Sequence, residues 1–248
     1  MFRKVCFLVG FGIVLGASGA SVSFSGTTKT VSAGTYNNGC VLHAAKLKKK
    51  NTGLLKITRD RKRYFGNPTL VDLLTTLGID YRSEFPLPNE RIQIADMTSR
   101  RGGSQKPQHA SHQNGLDVDV IYLRNNQKES SVMSESFVEG DVVTKNFDMQ
   151  KNWWVFRYLV DSNSVSRVFV NRIIKKHLCE NSIDLEADAE IRKKVLRHLR
   201  PWPGHDDHFH LRLLCPEDDK DCSDNAWLPE GDGCDDPVLI EGFPKRTG

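Results

Sequence analysis

Residues 109–120 read His-Ala-Ser-His-Gln-Asn-Gly-Leu-Asp-Val-Asp-Val, and this stretch decides the fold. Its second half alternates apolar and polar residues, which predicts a β-strand with Asp117 and Asp119 on one face. Two carboxylates side by side on a strand repel each other, so they need a cation, and a metal ion is the simplest one. His112 lies in the loop before the strand, where Gly115 permits the turn that brings its imidazole back over the strand end.

A second stretch, residues 205–213, reads His-Asp-Asp-His-Phe-His-Leu-Arg-Leu. A strand here places His208, His210 and Arg212 on one face and the apolar side chains on the other. If the two predicted strands pair in one sheet, their polar faces line one groove that offers two histidines and one carboxylate to a divalent metal. Such a ligand set with an open position is typical of catalytic zinc. Either cluster alone is common on protein surfaces, but the two together favour a metal site.

The first twenty residues have the three parts of a secretory signal peptide. A short positive start precedes an apolar run over 5–15, and small residues lead up to Ala20. An N-terminal membrane anchor is the alternative, but this run is too short to cross about 30 Å of hydrocarbon. We therefore predict a signal peptide over 1–20, a single exported domain over 21–248 and no stable membrane insertion.

The charge balance and the cysteine count both change when this leader is removed. Loss of Arg3 and Lys4 lowers the formal net charge from +4 to +2, which is too weak to indicate a nucleic-acid partner. Loss of Cys6 leaves five cysteines, and disulfides are the default in an oxidising compartment. Five cannot all pair within one chain, so two bridges and one leftover thiol are expected. A zinc site built from cysteines is the alternative, but no two cysteines have the spacing of such a site.

The rest of the chain predicts a mixture of helices and strands. Apolar residues at three- and four-residue steps predict helices over 69–78, 153–160, 172–179 and 191–199, with Gly78 ending the first. Alternation predicts strands over 92–96 and 165–170. Segments 21–38, 100–111 and 140–151 are predicted to be irregular. No regular βαβ order is present, so we expect an α+β fold: a small antiparallel sheet carrying the metal site, flanked by helices and disulfide-tied loops.

The histidine clusters resemble the signature of the lysostaphin, D-Ala-D-Ala metallopeptidase and hedgehog-type fold group, which is a histidine, an aspartate soon after it and a distant His-x-His. The sequence is most similar to one member of this group, the penicillin-insensitive murein endopeptidase family. The similarity runs from about Gly39 to Cys234. Besides the two clusters it is carried by NGC at 38–40, RYFGNP at 63–68, RGG at 101–103, FVN at 169–171, IKK at 174–176 and RPW at 200–202.

This resemblance implies a zinc ion held by His112, Asp119 and His210. His208 and His205 would stay unliganded beside it, and each is a candidate for the general base or for stabilising the tetrahedral intermediate. The implied substrate is peptidoglycan in the periplasm, cut at its D-alanyl to meso-diaminopimelyl cross-links. Because this chemistry uses water and no serine nucleophile, β-lactams would have nothing to acylate.

Neighbouring residues receive supporting roles. Asp117 is expected to orient a ligand histidine through its second ring nitrogen. Asp207 holds the position where related dipeptidases and carboxypeptidases carry a glutamate, although its side chain is one methylene shorter. His109 is a candidate for a second metal site or for a supporting contact, and Asp148 is the one further ligand that the sequence offers for such a site.

The same resemblance predicts two disulfides, Cys179–Cys234 and Cys215–Cys222. Family members commonly carry a longer proline-rich tail with another cysteine, which this sequence lacks. Cys40 therefore has no predicted partner, and its state is left open.

Three alternative functions fit parts of this pattern. A D,D-carboxypeptidase or dipeptidase of the same fold group would act on the ends of stem peptides. A non-catalytic zinc- and cell-wall-binding protein would need no intact set of catalytic residues, yet every expected ligand is present. A metal-dependent nuclease is disfavoured by the nearly neutral mature charge. For a peptidase, Arg100 and Arg101 are candidates to contact stem-peptide carboxylates, or else form a flexible basic loop.

Overall fold

The computed structural model describes residues 29–48, 53–86, 90–126, 128–129, 135–224 and 227–244. Its strands are β1 (Val31–Thr35), β2 (Asn38–Leu42), β3 (Ala45–Lys46), β4 (Leu54–Lys56), β5 (Phe65–Gly66), β6 (Ile92–Ile94), β7 (Asp117–Ile121), β8 (Val138–Glu139), β9 (Val142–Val143), β10 (Val165–Val170), β11 (Leu199–Pro201) and β12 (His208–Leu213). Its helices are α1 (Pro68–Glu84), α2 (Met149–Asp161), α3 (Arg172–Asn181), α4 (Ala189–His198) and α5 (Val238–Glu241). The predicted signal peptide lies outside these residues, and in the described part no helix has the length and apolar character that a membrane crossing requires.

The strands of both histidine stretches, β7 and β12, belong to one six-stranded sheet, whose strand order is β11-β10-β12-β7-β6-β4. β12 runs antiparallel to β7, with His210 opposite Asp119 and Arg212 opposite Asp117. The inner strands are antiparallel, while the outer pairs β10–β11 and β4–β6 are parallel. The predicted pairing of the two strands and the α+β class are therefore confirmed.

The other face of these two strands belongs to the hydrophobic core. Val118 and Val120 on β7 and Phe209 and Leu211 on β12 are fully buried. Phe156 of α2 contacts Phe209, with ring centroids 5.1 Å apart. Because side chains alternate along a strand, this packing fixes which residues face the opposite side, and there the histidines and aspartates collect.

Capping side chains set helix starts that apolar periodicity alone does not predict. Asp148 accepts a hydrogen bond from the backbone N–H of Lys151 at 3.0 Å. Helix α2 therefore begins at Met149, inside the segment predicted to be irregular up to residue 151. Asp188 caps α4 in the same way, so this helix also starts earlier than predicted.

Two further predictions are wrong in extent. Helix α1 continues past Gly78 because the fully buried Tyr81 carries its apolar stripe one turn further. The segment 21–38 is not irregular throughout, since β1 forms an antiparallel hairpin with β2. Residues 21–28 of that segment lie outside the described residues.

The two predicted disulfides are confirmed. Cys179 of α3 is bonded to Cys234 in the loop before α5, and Cys215 is bonded to Cys222 just after β12. Cys40 is disulfide-bonded as well, and no cysteine in the described part of the chain is a free thiol. The expected leftover thiol belongs to the chain without residues 1–20, and for that chain it stays a prediction.

Lys175 of α3 holds the C-terminal loop from inside the protein. Its fully buried ammonium donates hydrogen bonds to the carbonyl oxygens of Leu196 and Asp232, each at 2.7 Å. Burial lowers the pKa of Lys175 to about 7, although Asp232, Asp235 and Asp236 act in the opposite direction.

We expect Lys175 to make folding stability depend on pH. Between its folded pKa of about 7 and the ordinary value of 10.5 the unfolded chain binds more protons, so the free energy of unfolding rises with pH. The slope contributed is at most about 1.4 kcal/mol per pH unit, and Lys175→Met removes it. Denaturant unfolding of both proteins from neutral to mildly alkaline pH, without reductant, measures the difference. Parallel pH profiles for the two proteins would contradict this account.

Candidate metal centre

Four histidines converge on Asp119, which is buried on β7. Its Oδ1 lies 3.2 Å from Nε2 of His112, 3.4 Å from Nδ1 of His210 and 3.7 Å from Nε2 of His208. Its Oδ2 lies 3.6 Å from Nδ1 of His109. The ligand atoms of His109, His112 and Asp119 are all within 4.8 Å of one another. Residues predicted from two distant segments are thus brought together at one point.

Several of the nitrogen and oxygen atoms that could bind a metal here have no hydrogen-bond partner among the described residues. Nε2 of His112 and both oxygens of Asp119 are buried and have no hydrogen-bond partner among the described residues. Nδ1 of His112 donates to the carbonyl oxygen of Met97 at 3.1 Å, so its Nε2 presents a lone pair. A buried carboxylate without a partner is costly. Neutral imidazole nitrogens and one carboxylate suit zinc, so the residues present fit this metal.

Asp117 lies directly behind the cluster. Its Oδ1 is 3.1 Å from Nε2 of His210, and its Oδ2 accepts from the backbone N–H of His112 at 2.9 Å. Arg212 donates to both oxygens, at 2.8 and 3.2 Å. Burial opposes ionisation, but Arg212 and His210 hold the pKa of Asp117 well below its usual range. This position suits the predicted role of orienting a ligand histidine.

His208 and His205 flank the cluster in different electrostatic states. Nδ1 of His208 is hydrogen bonded to Asp207, which leaves Nε2 directed toward Asp119. Burial lowers the pKa of His208, but Asp119 and Asp207 together raise it above its usual value. Nδ1 of His205 donates to the carbonyl oxygen of Pro203 at 3.0 Å. Burial and the neighbouring His208 lower the pKa of His205, so it favours the neutral form.

Asp96, two residues beyond β6, supports the cluster from the other side and is not among the predicted residues. Its Oδ2 is 2.8 Å from Nε2 of His109, and it accepts from Arg61 and Arg63 at 2.9 and 3.2 Å. Burial raises the pKa of Asp96, but the opposite effect of His109 and Arg61 is larger, so the pKa falls to about 2. An acidic residue directly after an apolar strand is the signal that points to it.

Three of the predicted site residues make no contact with the histidines and aspartates around Asp119 among the contacts of the described residues. Asp148, the further ligand considered for a second metal, caps α2, and its Oδ2 is 3.0 Å from Nζ of Lys151. Arg100 and Arg101 are exposed in the turn that Gly102 closes through its hydrogen bond to Ser99. Substrate contact by these two arginines stays a prediction.

A groove of about 510 Å³ opens beside this cluster of histidines and aspartates. His205 and His210 form part of its wall. Small and polar residues and Asp224 form part of the rest, beside the aromatic and basic side chains of Tyr36, Phe169, Trp202, Arg167, Arg200 and Arg212. Arg167 and Arg200 are not among the predicted site residues, although an arginine inside the otherwise mostly apolar strand β10 marks a polar position on the face that carries the histidines.

Comparison with known proteins gives consistent matches over most of the chain. A family model described as "Penicillin-insensitive murein endopeptidase" matches residues 32–241. A protein of that name from Haemophilus influenzae is 33% identical over 223 residues, which cover 87% of this chain and 74% of the relative. A Klebsiella pneumoniae relative is 33% identical, and one from Escherichia coli O157:H7 is 32% identical; each alignment covers 88% of this chain and 78% of the relative.

Proposed function

Because the chain belongs to the penicillin-insensitive murein endopeptidase family, we propose that it is a zinc peptidase that hydrolyses the D-alanyl to meso-diaminopimelyl cross-links of peptidoglycan. The observation that carries the proposal is the buried, unpaired Asp119 carboxylate facing the imidazole nitrogens of His112 and His210. A peptidoglycan substrate lies outside the cytoplasmic membrane. A signal peptide over 1–20 would deliver the single metallopeptidase domain, 21–248, to the periplasm.

We assign the metal ligands as His112, Asp119 and His210. His210 is supported by its register opposite Asp119 and by the Asp117 carboxylate behind its other ring nitrogen. His109 belongs to the same cluster, and Asp96 lies behind its Nε2 in the same way. We assign it a supporting position because the family signature takes its third ligand from the distant His-x-His pair. A zinc ion bound here would supply a Lewis acid for the scissile carbonyl and would lower the pKa of a water molecule.

His208 is the proposed general base. Asp207 fixes its Nδ1 as the donor, so Nε2 is free to take a proton from the attacking water and to pass it to the leaving amine. Asp207 therefore acts through the histidine beside it. This explains how an aspartate serves where related enzymes carry the longer glutamate.

His205 takes a different role in this proposal. Its Nδ1 is committed to the carbonyl oxygen of Pro203, and its lowered pKa favours the neutral ring. A neutral ring in this tautomer presents Nε2 as an acceptor, so it suits a substrate N–H rather than a developing oxyanion. None of these roles uses a hydroxyl nucleophile, and β-lactams therefore have no group to acylate.

Digestion of purified D,D-cross-linked muropeptide dimers tests the proposed activity. We expect monomers to appear, as resolved by liquid chromatography and mass spectrometry, because the cross-link itself is cut. Release of free D-alanine with the dimers left intact would instead indicate a carboxypeptidase or dipeptidase. Retention of the dimers by the protein without any cleavage would indicate a wall-binding module.

A further inference from the structure

One row of side chains crosses four strands of the sheet, from the proposed metal site on β7 to the edge strand β11. Asp119 of β7 is opposite His210 of β12, which is opposite Phe169 of β10, which is opposite Arg200 of β11. His210, Phe169 and Arg200 all line the groove. With neighbouring strands about 4.8 Å apart, the backbones of Arg200 and His210 are separated by about 10 Å.

Among the described residues, Arg200 is the groove arginine whose guanidinium has neither an ion pair nor a hydrogen bond. Arg212 is committed to Asp117, and Arg167 donates to the carbonyl oxygen of Trp227 at 2.7 Å. The guanidinium of Arg200 lies 5.7 Å from the ring of Trp202, and among the described residues no carboxylate is within ion-pair distance of it.

The groove is lined by three arginines and one aspartate, Asp224. Oδ2 of Asp224 accepts from the backbone N–H of Cys215 at 2.7 Å, and among the described residues Asp224 forms no ion pair with Arg200. Burial lowers the pKa of Arg167, and the positive charges of Arg200 and Arg212 lower it further. Arg167 and Arg200 line the same groove, and an anion bound there would be attracted by both guanidinium groups.

Arg200 is also accessible from a second side. Together with Arg167 it lines a further cavity of about 180 Å³, whose wall includes the exposed Trp227. Arg200 thus lines both cavities, with its guanidinium 5.7 Å from the indole of Trp202. A planar guanidinium is suited to bidentate binding of a carboxylate.

We propose that Arg200, positioned by Trp202, forms a carboxylate-binding subsite that selects peptides with a free diaminopimelyl carboxylate. The arginine side chain shortens the separation of about 10 Å, so the carboxylate it binds lies about one or two extended residues from the bond at the metal cluster. In a D-alanyl to meso-diaminopimelyl cross-link, the residue that supplies the leaving amine carries such a free carboxylate. This inference rests on the proposed function for its choice of substrate, but it makes a separate claim about binding.

The test compares muropeptides whose diaminopimelyl carboxylate is free with the same peptides amidated at that group. Calorimetry on uncleavable monomers gives Kd, and digestion of dimers gives kcat/KM. For the wild type we expect the free carboxylate to be preferred by about 10- to 100-fold in both measurements. Arg200→Gln should remove this preference, and Arg200→Lys should retain only part of it. Lys193→Gln, which removes an exposed positive charge from α4, should keep it in full.

The outcomes separate the subsite from the proposed activity. Equal binding of free and amidated peptides by the wild type overturns the subsite without the need for any variant. An undiminished preference in Arg200→Gln overturns the subsite as well. If Arg200 has only a structural role, this substitution weakens the binding of the free and the amidated peptide equally. If the wild type prefers the free carboxylate but cuts no dimer, the proposed activity fails and the subsite stands.

Discussion

Replacing Asp119 with alanine is expected to abolish cleavage of cross-linked muropeptides and to release the bound metal. Asp119 is the common neighbour of the clustered histidines, and its two oxygens have no other partner among the described residues. The loss should exceed the roughly 10- to 100-fold cost of removing an outer partner of a metal ligand. Metal content by mass spectrometry and kcat/KM on purified dimers measure the two effects. A fully active variant would remove Asp119 from the metal site.

Matched variants of the cluster decide which histidines hold the metal. His210→Ala should lose the metal as Asp119→Ala does, whereas His109→Ala should keep it. Asp117→Asn should keep the metal and lose about 10- to 100-fold in activity, because Asp117 contacts His210 and the backbone of His112 without being a ligand itself. Thermal unfolding of each variant shows that the chain is folded. If His109→Ala loses the metal and His210→Ala keeps it in full, then His109 is the ligand and His210 has the supporting position.

Replacing His208 with alanine should lower kcat by about 10²- to 10⁴-fold without changing the metal content, because it removes the proton acceptor and no ligand. Asp207→Asn should cause a smaller loss and a shift of the acid limb of the pH profile. Asp207 raises the pKa of His208, so its loss lowers that pKa and moves the limb to lower pH. The measurement is kcat/KM against pH for the wild type and both variants. A His208→Ala enzyme with full activity would pass the role to His205.

That the two motifs meet could be predicted from sequence because Asp119 and His210, two of the three proposed ligands, lie on strands of simple alternation. Asp117 and Asp119 repeat at a period of two, as do His208, His210 and Arg212, and this period fixes which side chains share a face. The pairing register between β7 and β12 could not be predicted from the sequence, because the strands are far apart along the chain and core packing selects their alignment. The sequence predicts only that, if they pair, their polar faces line one groove.

Contacts between unrelated segments could not be predicted in this way. The hydrogen bond between Asp96 and His109 joins two loops, and no periodicity links them. The place of Arg200 in the row depends on β11, a strand of three residues that is too short to show alternation. The early start of α2 depends on one capping side chain, Asp148, whose effect is local and independent of the apolar pattern.

Removal and return of the metal tests whether cleavage of the cross-links requires zinc. Purified protein is divided into untreated, chelator-treated and zinc-restored samples, and each is incubated with D,D-cross-linked muropeptide dimers. We predict cleavage to monomers in the untreated sample, no cleavage after chelation, and recovery on return of about one zinc ion per chain. Full cleavage by protein that is shown to be free of metal would contradict the account.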